Sequence, residues 1–142
     1  MRSMIVQGIH HGKLLRVLFD TGSDITLINK RALPKNAKPS IKRDQQAVTG
    51  VHGTKPLNRE VFLEDTSFPE FSPTQKVPGP IRATVFDNED SAYDIIVGMD
   101  LMQTLGIDVR CKTKTVEWND MIIPFRPRDY FRSPLLAESL MA

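Results

Sequence analysis

The stretch Val17-Leu18-Phe19-Asp20-Thr21-Gly22-Ser23 decides the fold, because a run of large apolar residues ends abruptly in an Asp-Thr-Gly-Ser turn. A carboxylate at the end of a buried strand is costly unless it is hydrogen-bonded or paired, and such costs concentrate at functional sites. Gly22 permits a tight turn, while the hydroxyls of Thr21 and Ser23 can hold the carboxylate. The same four residues are also a common turn composition, so the rest of the chain must decide whether Asp20 is catalytic.

Length and composition predict one β-rich domain. The chain has 142 residues, of which 40% are hydrophobic, with 10 prolines, 8 glycines and many short runs of Val, Ile, Thr and Phe. Its single cysteine, Cys111, excludes an intrachain disulfide, and the N-terminus lacks the apolar core of a signal peptide. We therefore expect a cytoplasmic protein. No apolar stretch reaches the roughly 18 residues that span a membrane, so no membrane association is expected.

Charge and ligand-type residues argue against nucleic-acid and metal partners. The net charge is +2, and the basic residues between Asn29 and Asp44 are not interleaved with aromatic side chains. This pattern predicts a solvated surface connection and no nucleic-acid partner. His10, His11, His52 and Cys111 lack the spacing of zinc ligands, so we expect neither a metal nor a cofactor.

Hydrophobic periodicity predicts a series of short strands and one helix. Runs at Met4–Ile9 and Lys13–Phe19 flank a His-His-Gly turn and predict a hairpin whose second strand delivers Asp20. A helix is predicted over Gly98–Gly106, with Gly106 as its left-handed cap. Further strands are predicted at Ile25–Ile28, Val61–Leu63, Ile81–Phe86, Tyr93–Val97, Ile107–Cys111, Thr115–Trp118 and Met121–Phe125.

Two other segments have a predicted role. Residues Gln45–Leu57 contain Gly50 and Gly53 within an apolar run, which predicts a mobile hairpin tip able to close over a ligand. Thr66–Pro80 is rich in proline and predicts an ordered loop with Phe68 and Phe71 packed onto the body of the domain.

Three elements now stand in a fixed order: the strand with Asp-Thr-Gly-Ser, the glycine-rich hairpin, and the apolar strand running into Ile96-Val97-Gly98-Met99-Asp100-Leu101-Met102. This arrangement resembles the retropepsin family of aspartic proteases, over roughly residues 4–125. The segment Phe68-Pro69-Glu70-Phe71-Ser72 and the ending Glu117-Trp118…Ile123-Pro124 most resemble the protease regions of gypsy-class retrotransposon polyproteins.

The resemblance implies an all-β fold, a closed and mainly antiparallel β-barrel with one short C-terminal helix, spanning residues 1–125. Residues 126–142 would be a tail, acting either as a linker to the next polyprotein domain or as part of a dimer interface. It also implies a homodimer that hydrolyses an extended peptide or polyprotein, located in the cytoplasm or within virus-like particles. Each subunit would supply one catalytic aspartate.

The resemblance also assigns roles around Asp20. Thr21 would lock the two copies together, Gly22 would let the substrate backbone approach, and Asp24 would bind that backbone further along the cleft. Ser23, also in contact with substrate, would donate its hydroxyl to the ionised carboxylate and shift activity towards acid pH. A flap and hydrophobic pockets complete the predicted substrate site, comprising Val48, Thr49, Gly50, Val51, His52, Gly53, Ile81 and Val97.

Three residues near the C-terminal half carry separate expectations. Met99 stands where retroviral enzymes usually have an arginine that pairs with the residue matching Asp24, and the loss of that ion pair bears on how tightly the dimer forms. Asp100 is interpreted as a cap of the helix N-terminus. Trp118 is interpreted as a packing residue of the core or of an interface.

Two alternatives to a retrotransposon enzyme are left open by the sequence. One is a catalytically inactive retropepsin-like domain that serves as a binding or dimerisation module. The other is a host-encoded retropepsin, such as those of the DNA-damage-inducible ubiquitin-shuttle family.

Overall fold

The computed structural model describes residues 2–46 and 57–132, and these form mostly β-structure with one α-helix. The helix α1 spans Met99–Leu105, and short 3-10 turns occupy Lys30–Ala32 and Arg128–Arg132. The strands are β1 (Arg2–Ser3), β2 (Ile5–His10), β3 (Lys13–Phe19), β4 (Leu27–Asn29), β5 (Ser40–Gln46), β6 (Leu57–Leu63), β7 (Thr66–Ser67), β8 (Ile81–Phe86), β9 (Ile95–Val97), β10 (Asp108–Arg110), β11 (Thr115–Trp118), β12 (Met121–Pro124) and β13 (Arg126–Pro127).

The largest sheet is a curled half-barrel of eight strands in the order β5-β6-β8-β4-β9-β3-β2-β7. Most neighbours are antiparallel, but β3 runs parallel to β9 and β4 runs parallel to β8. The predicted closed barrel is wrong for the described part of the chain, because the edge strands β5 and β7 do not pair with each other. The two-residue β7 ends that side of the sheet before it can close.

The predicted hairpin at the start of the chain is confirmed. Strands β2 and β3 pair in register from Ile5 opposite Leu18 to His10 opposite Lys13. The two turn residues, His11 and Gly12, both have positive φ, which is the geometry of a tight two-residue hairpin. Strand β3, which leads into Asp20, is thereby paired with β2 from Lys13 to Leu18.

Alternation of side chains divides the central sheet between two apolar clusters. Val17, Phe19 and Ile95 belong to the main core, whereas Leu18 and Ile96 belong to a second cluster on the other face. Strand β9 is buried on both faces, as its continuous apolar sequence predicts, and its three residues are all fully buried.

The predicted loop Thr66–Pro80 is packed onto the main core. Phe68 and Phe71 are buried and meet the ring of Trp118 edge-on, at centroid distances of 5.9 and 6.0 Å. The Trp118 indole N–H donates to the carbonyl oxygen of Leu105 at the end of α1. This confirms Trp118 as a core residue, and it joins the helix to the separate sheet β10-β11-β12.

The basic segment 29–44 is only partly the surface connection that its composition predicts. Its second half forms β5, the edge strand of the large sheet. Lys42 is 5% exposed, and its ammonium donates to the Thr84 hydroxyl at 3.1 Å. The basic composition of the segment did not predict β5, because the buried side chain of Lys42 is charged and adds nothing to an apolar pattern.

An ion-pair cluster around Asp94 fastens β3, β9 and the 3-10 turn together. The Asp94 carboxylate accepts hydrogen bonds from the Arg16 backbone N–H at 2.8 Å, from Arg16 Nε at 3.2 Å and from Arg31 Nε at 2.9 Å. The Arg31 guanidinium also donates to the carbonyl oxygens of Glu89 and Ser91. Arg31 thus ties the acidic turn at 87–91 to Asp94 and, through Asp94, to the sheet.

The first residues after position 125 belong to the folded domain. Strand β13 pairs antiparallel with β1 of the same chain, and the 3-10 turn Arg128–Arg132 follows it. The predicted tail 126–142 is therefore docked on its own domain up to residue 132, while its remaining residues lie outside the described chain. None of the described helices is both long and apolar enough to cross a membrane.

Candidate active site

Asp20 lies one residue beyond the end of β3. Its backbone N–H donates to the carbonyl oxygen of Val97 at 2.9 Å, so the pairing of β3 with β9 continues as far as this residue. Asp20 is half-buried, while Phe19 before it is fully buried and Thr21 after it is exposed. The rigid part of the sheet therefore positions a carboxylate that solvent can reach.

The turn after Asp20 orients its carboxylate. The Gly22 N–H donates to Asp20 Oδ1 at 2.9 Å, and the Ser23 N–H donates to the Asp20 carbonyl oxygen at 3.1 Å. A Cβ on Gly22 would lie 3.2 Å from Asp20 Oδ1, a tight contact. Glycine at this position lets the backbone amide approach the carboxylate closely.

The predicted role of the Ser23 hydroxyl differs from its observed partner. Ser23 Oγ donates to the carbonyl oxygen of Ile25 at 2.7 Å. A hydroxyl has one proton to donate, so this bond leaves none for the Asp20 carboxylate. The physical reason for expecting acid-shifted activity from Ser23 is thus absent in this conformation.

Thr21 and Asp24 are exposed on the outer side of the turn. Their side chains have no hydrogen-bond partner among residues 2–46 and 57–132, although the Asp24 carbonyl oxygen accepts the Asp100 N–H at 3.2 Å. Both side chains are available to groups outside the chain.

Behind the turn, Thr26 and Asp100 form a network that the sequence did not predict. Thr26 donates to the Asp100 carboxylate through its hydroxyl at 2.7 Å and through its backbone N–H at 3.2 Å. The Thr26 hydroxyl also accepts the Gly98 N–H. Asp100 therefore links helix α1 to the Asp20 turn and accepts its neighbour Leu101's N–H as well. The position of Asp100 in the first turn of the helix predicted a capping role, but it did not predict the hydrogen bonds to Thr26.

Gly98 is where α1 and the Asp20 turn touch. A Cβ at this position would lie 2.3 Å from the carbonyl oxygen of Ile25 and 2.9 Å from that of Ser23. Both are backbone atoms, so no side-chain rotation can relieve the overlap. The next amide, Met99 N–H, donates to the Ser23 carbonyl oxygen at 2.8 Å.

We expect Gly98→Ala to destabilise the domain by about 3 kcal/mol or more, because overpacking against backbone displaces the turn. The measurement is chemical unfolding, with Gly12→Ala as the control. Gly12 has φ +77° and open space around it, so alanine there adds backbone strain without overlap and should cost only about 1–2 kcal/mol. Equal losses in the two variants would contradict this account.

The remaining predicted substrate residues fall into two groups. The flap residues Val48 to Gly53 lie outside the described chain. Ile81 and Val97 are 2% and 0% exposed and belong to the main core. Both side chains pack inside the main core, and neither belongs to the second cluster, which contains Leu18 and Ile96.

A shallow depression borders the exposed Thr21. It is lined by Met99, Met102, Ile107 and Val109, together with polar atoms of neighbouring residues. The methionine that replaces the expected arginine thus contributes to an apolar surface beside the turn. No group of three or more potential metal ligands occurs within residues 2–46 and 57–132.

The half-barrel sheet, the single helix and the Asp-Thr-Gly turn at the end of β3 together make up a retropepsin-like fold. The profile of the retroviral aspartyl protease family matches residues 3–110, and the chain belongs to that family. A search of curated proteins found no match. Among solved structures, the chain is similar to the retroviral protease-like domain of Ddi1 from Leishmania major, with a TM-score of 0.62 and 16% identity, covering 92% of this chain and 98% of that one. At this identity the likeness concerns the fold.

Proposed function

We propose that this chain is an aspartic endopeptidase that acts as a homodimer, with one Asp20 from each subunit at a shared centre. The observation that carries the proposal is the Asp20 carboxylate itself, which is half-buried at the end of β3 and held by the Gly22 N–H at 2.9 Å. Membership of the retroviral aspartyl protease family supports it.

Hydrolysis of a peptide bond at such a centre requires two carboxylates of this kind. When two carboxylates are brought into contact they cannot both be ionised, so they share one proton. The ionised member removes a proton from a water molecule, which attacks the scissile carbonyl carbon. The protonated member polarises the carbonyl oxygen and then assists departure of the amine. The amide bond breaks, and the water supplies the hydroxyl of the new acid and a proton of the new amine.

The case for a homodimer comes from the sequence and from the surface around Thr21. The 142 residues contain one Asp-Thr-Gly, and a second copy of the chain would supply the second carboxylate of this kind. Thr21 is exposed beside the apolar depression that includes Met99 and Val109. Apolar surface at such a position favours burial against a partner.

The proposal predicts that cleavage rises faster than linearly with protein concentration. Below the dissociation constant of the dimer, doubling the concentration should raise the cleavage rate about fourfold, since the active species forms by mass action. The measurement is hydrolysis of an oligopeptide mixture between about pH 4 and 7, with pepstatin as inhibitor. Rates that stay linear from the lowest concentration, alongside a monomer in sedimentation, would refute the dimeric enzyme.

For the substrate, we propose processing of a retroelement polyprotein, which rests on the resemblance of the segment Phe68–Ser72 and the Trp118 region to gypsy-class proteases. The fold likeness to the Ddi1 domain favours a host-encoded retropepsin as the second candidate. The sequence that flanks this domain in its full-length gene product discriminates between them. Peptide binding without hydrolysis would instead indicate the inactive binding module.

A further inference from the structure

One face of the large sheet carries both Asp20 and an apolar cluster. Side chains alternate along a strand, and the pairing of β3 with β9 continues to Asp20, so Asp20 projects on the same side as Leu18. Leu18 and Ile96 stand opposite each other in that register. We call the surface formed by Ile5, Leu18, Leu27 and Ile96 the Asp20 face.

Two aromatic side chains from the end of the described chain cover part of this face. Tyr130 and Phe131 pack against the cluster that contains Leu18 and Ile96, and both are half-buried. Their rings meet edge-on with centroids 5.6 Å apart. They belong to the segment Arg126–Arg132, which we call the C-terminal strap.

The strap is held by a buried carboxylate from the Thr66–Pro80 loop. Glu70 has an 8% exposed side chain and accepts hydrogen bonds from the Arg126 guanidinium and the Tyr130 hydroxyl. It also accepts the Gln7 N–H from β2. The Arg126 guanidinium lies 4.2 Å above the Tyr130 ring, which adds a cation–π contact. Burial and the contact with Glu70 raise the pKa of the Tyr130 hydroxyl, so it remains a donor at neutral pH.

We propose that the C-terminal strap is an intramolecular occupant of the Asp20 face, and that an extended peptide with adjacent aromatic residues must displace it to bind. The inference rests on the proposed function, because it takes the Asp20 face as the surface that receives substrate side chains. The strap is held by its two-residue pairing with β1, by the ion-pair cluster at Glu70 and by the packing of its two rings. None of these contacts belongs to the main core, so the strap can leave without unfolding that core. A peptide can bind only those molecules in which the strap is released. The apparent affinity for the peptide is therefore the intrinsic affinity multiplied by the fraction of molecules with a released strap.

The test uses the strap's own sequence as the probe, a fluorescent peptide Arg-Pro-Arg-Asp-Tyr-Phe-Arg added to the full chain. All proteins carry Asp20→Asn, so that the probe is not cleaved. We expect Tyr130→Ala with Phe131→Ala to bind the probe at least about tenfold more tightly than the parent, as for a strap released in fewer than about a tenth of molecules. Arg126→Ala, which removes the strap's own ion pair with Glu70 but keeps Glu70 and every apolar side chain in place for the probe, should give a smaller gain.

Matched controls lie elsewhere on the surface. Met121→Ala removes an exposed apolar side chain from β12, and Glu117→Gln breaks a different Arg–Glu pair, with Arg110. Neither should change the affinity. Circular dichroism checks folding, and if the double alanine variant does not fold, Arg126→Ala carries the test.

Equal affinity of folded strap variants and parent would overturn the inference, as would absence of probe binding in every variant. Hydrolysis is measured separately in proteins that retain Asp20. Tighter probe binding in the strap variants without any hydrolysis would support the strap and refute the enzyme. Hydrolysis with no effect of the strap variants on binding would do the reverse.

Discussion

Asp20→Asn is expected to reduce peptide hydrolysis by at least about 10³-fold while the protein remains folded. Loss of a general acid–base group costs about 10² to 10⁴ in rate, and in a homodimer one substitution removes both carboxylates. The fold should survive because the Asp20 carboxylate accepts the Gly22 N–H, a bond that the asparagine side-chain oxygen can also accept. The measurement is the cleavage rate at a fixed protein concentration, together with the midpoint of thermal unfolding.

The matched control is Asp87→Asn, an exposed aspartate in the turn after β8. It removes the same charge without touching the Asp20 turn and should leave the cleavage rate within about twofold, as for most surface substitutions. Cleavage that persists in Asp20→Asn would point to a contaminating protease. A large loss of thermal stability in that variant would mean that Asp20 is a structural residue, and the case for catalysis would fail.

Local sequence signals predicted most of the elements because each has its own short-range cause. Asn119 and Asp120 form the predicted hairpin turn and both have positive φ, and Gly106 ends α1 in the left-handed conformation. The apolar run ending at Val97 is buried on both faces, as continuous apolar strands usually are. The position of Asp20 was predicted in the same way. Three large apolar residues directly before it indicate a buried strand, and a charged residue marks the point where that strand ends.

The contacts that join distant segments escaped prediction because polar side chains carry no periodic signal. Thr26 and Asp100 are 74 residues apart in the sequence, and Glu70 and Tyr130 are 60 apart. Nothing in their local sequence distinguishes them from ordinary surface residues. The closed barrel was inferred from family resemblance alone, and pairing of sheet edges depends on strand length, which is the least predictable property of an element.

Removing the charge of Asp94 should lower the stability of the domain in a pH-dependent manner. Asp94→Asn is expected to lower the free energy of unfolding at pH 7 by about 2–3 kcal/mol. Breaking a buried ion pair costs about 3–5 kcal/mol, and exposure of Arg16 moderates the loss. The Asp94 side chain is 11% exposed and is the shared partner of Arg16 and Arg31. Without its charge, Arg31 keeps its carbonyl partners but loses the carboxylate that neutralises it.

The pH dependence of this loss separates an ion pair from simple packing. Burial alone would raise the pKa of Asp94, but the hydrogen bonds from Arg16 and Arg31 outweigh it and hold the pKa below the ordinary value of 3.8. The stabilisation is therefore fully present above the unfolded-state pKa of about 4 and disappears as pH falls through the lower folded-state pKa. Urea unfolding of the parent and of Asp94→Asn should give free energies that converge between about pH 5 and 2. Asp108→Asn, at an exposed aspartate of β10, should follow the parent throughout. Curves for parent and Asp94→Asn that stay parallel would show that the lost contact is packing and not charge.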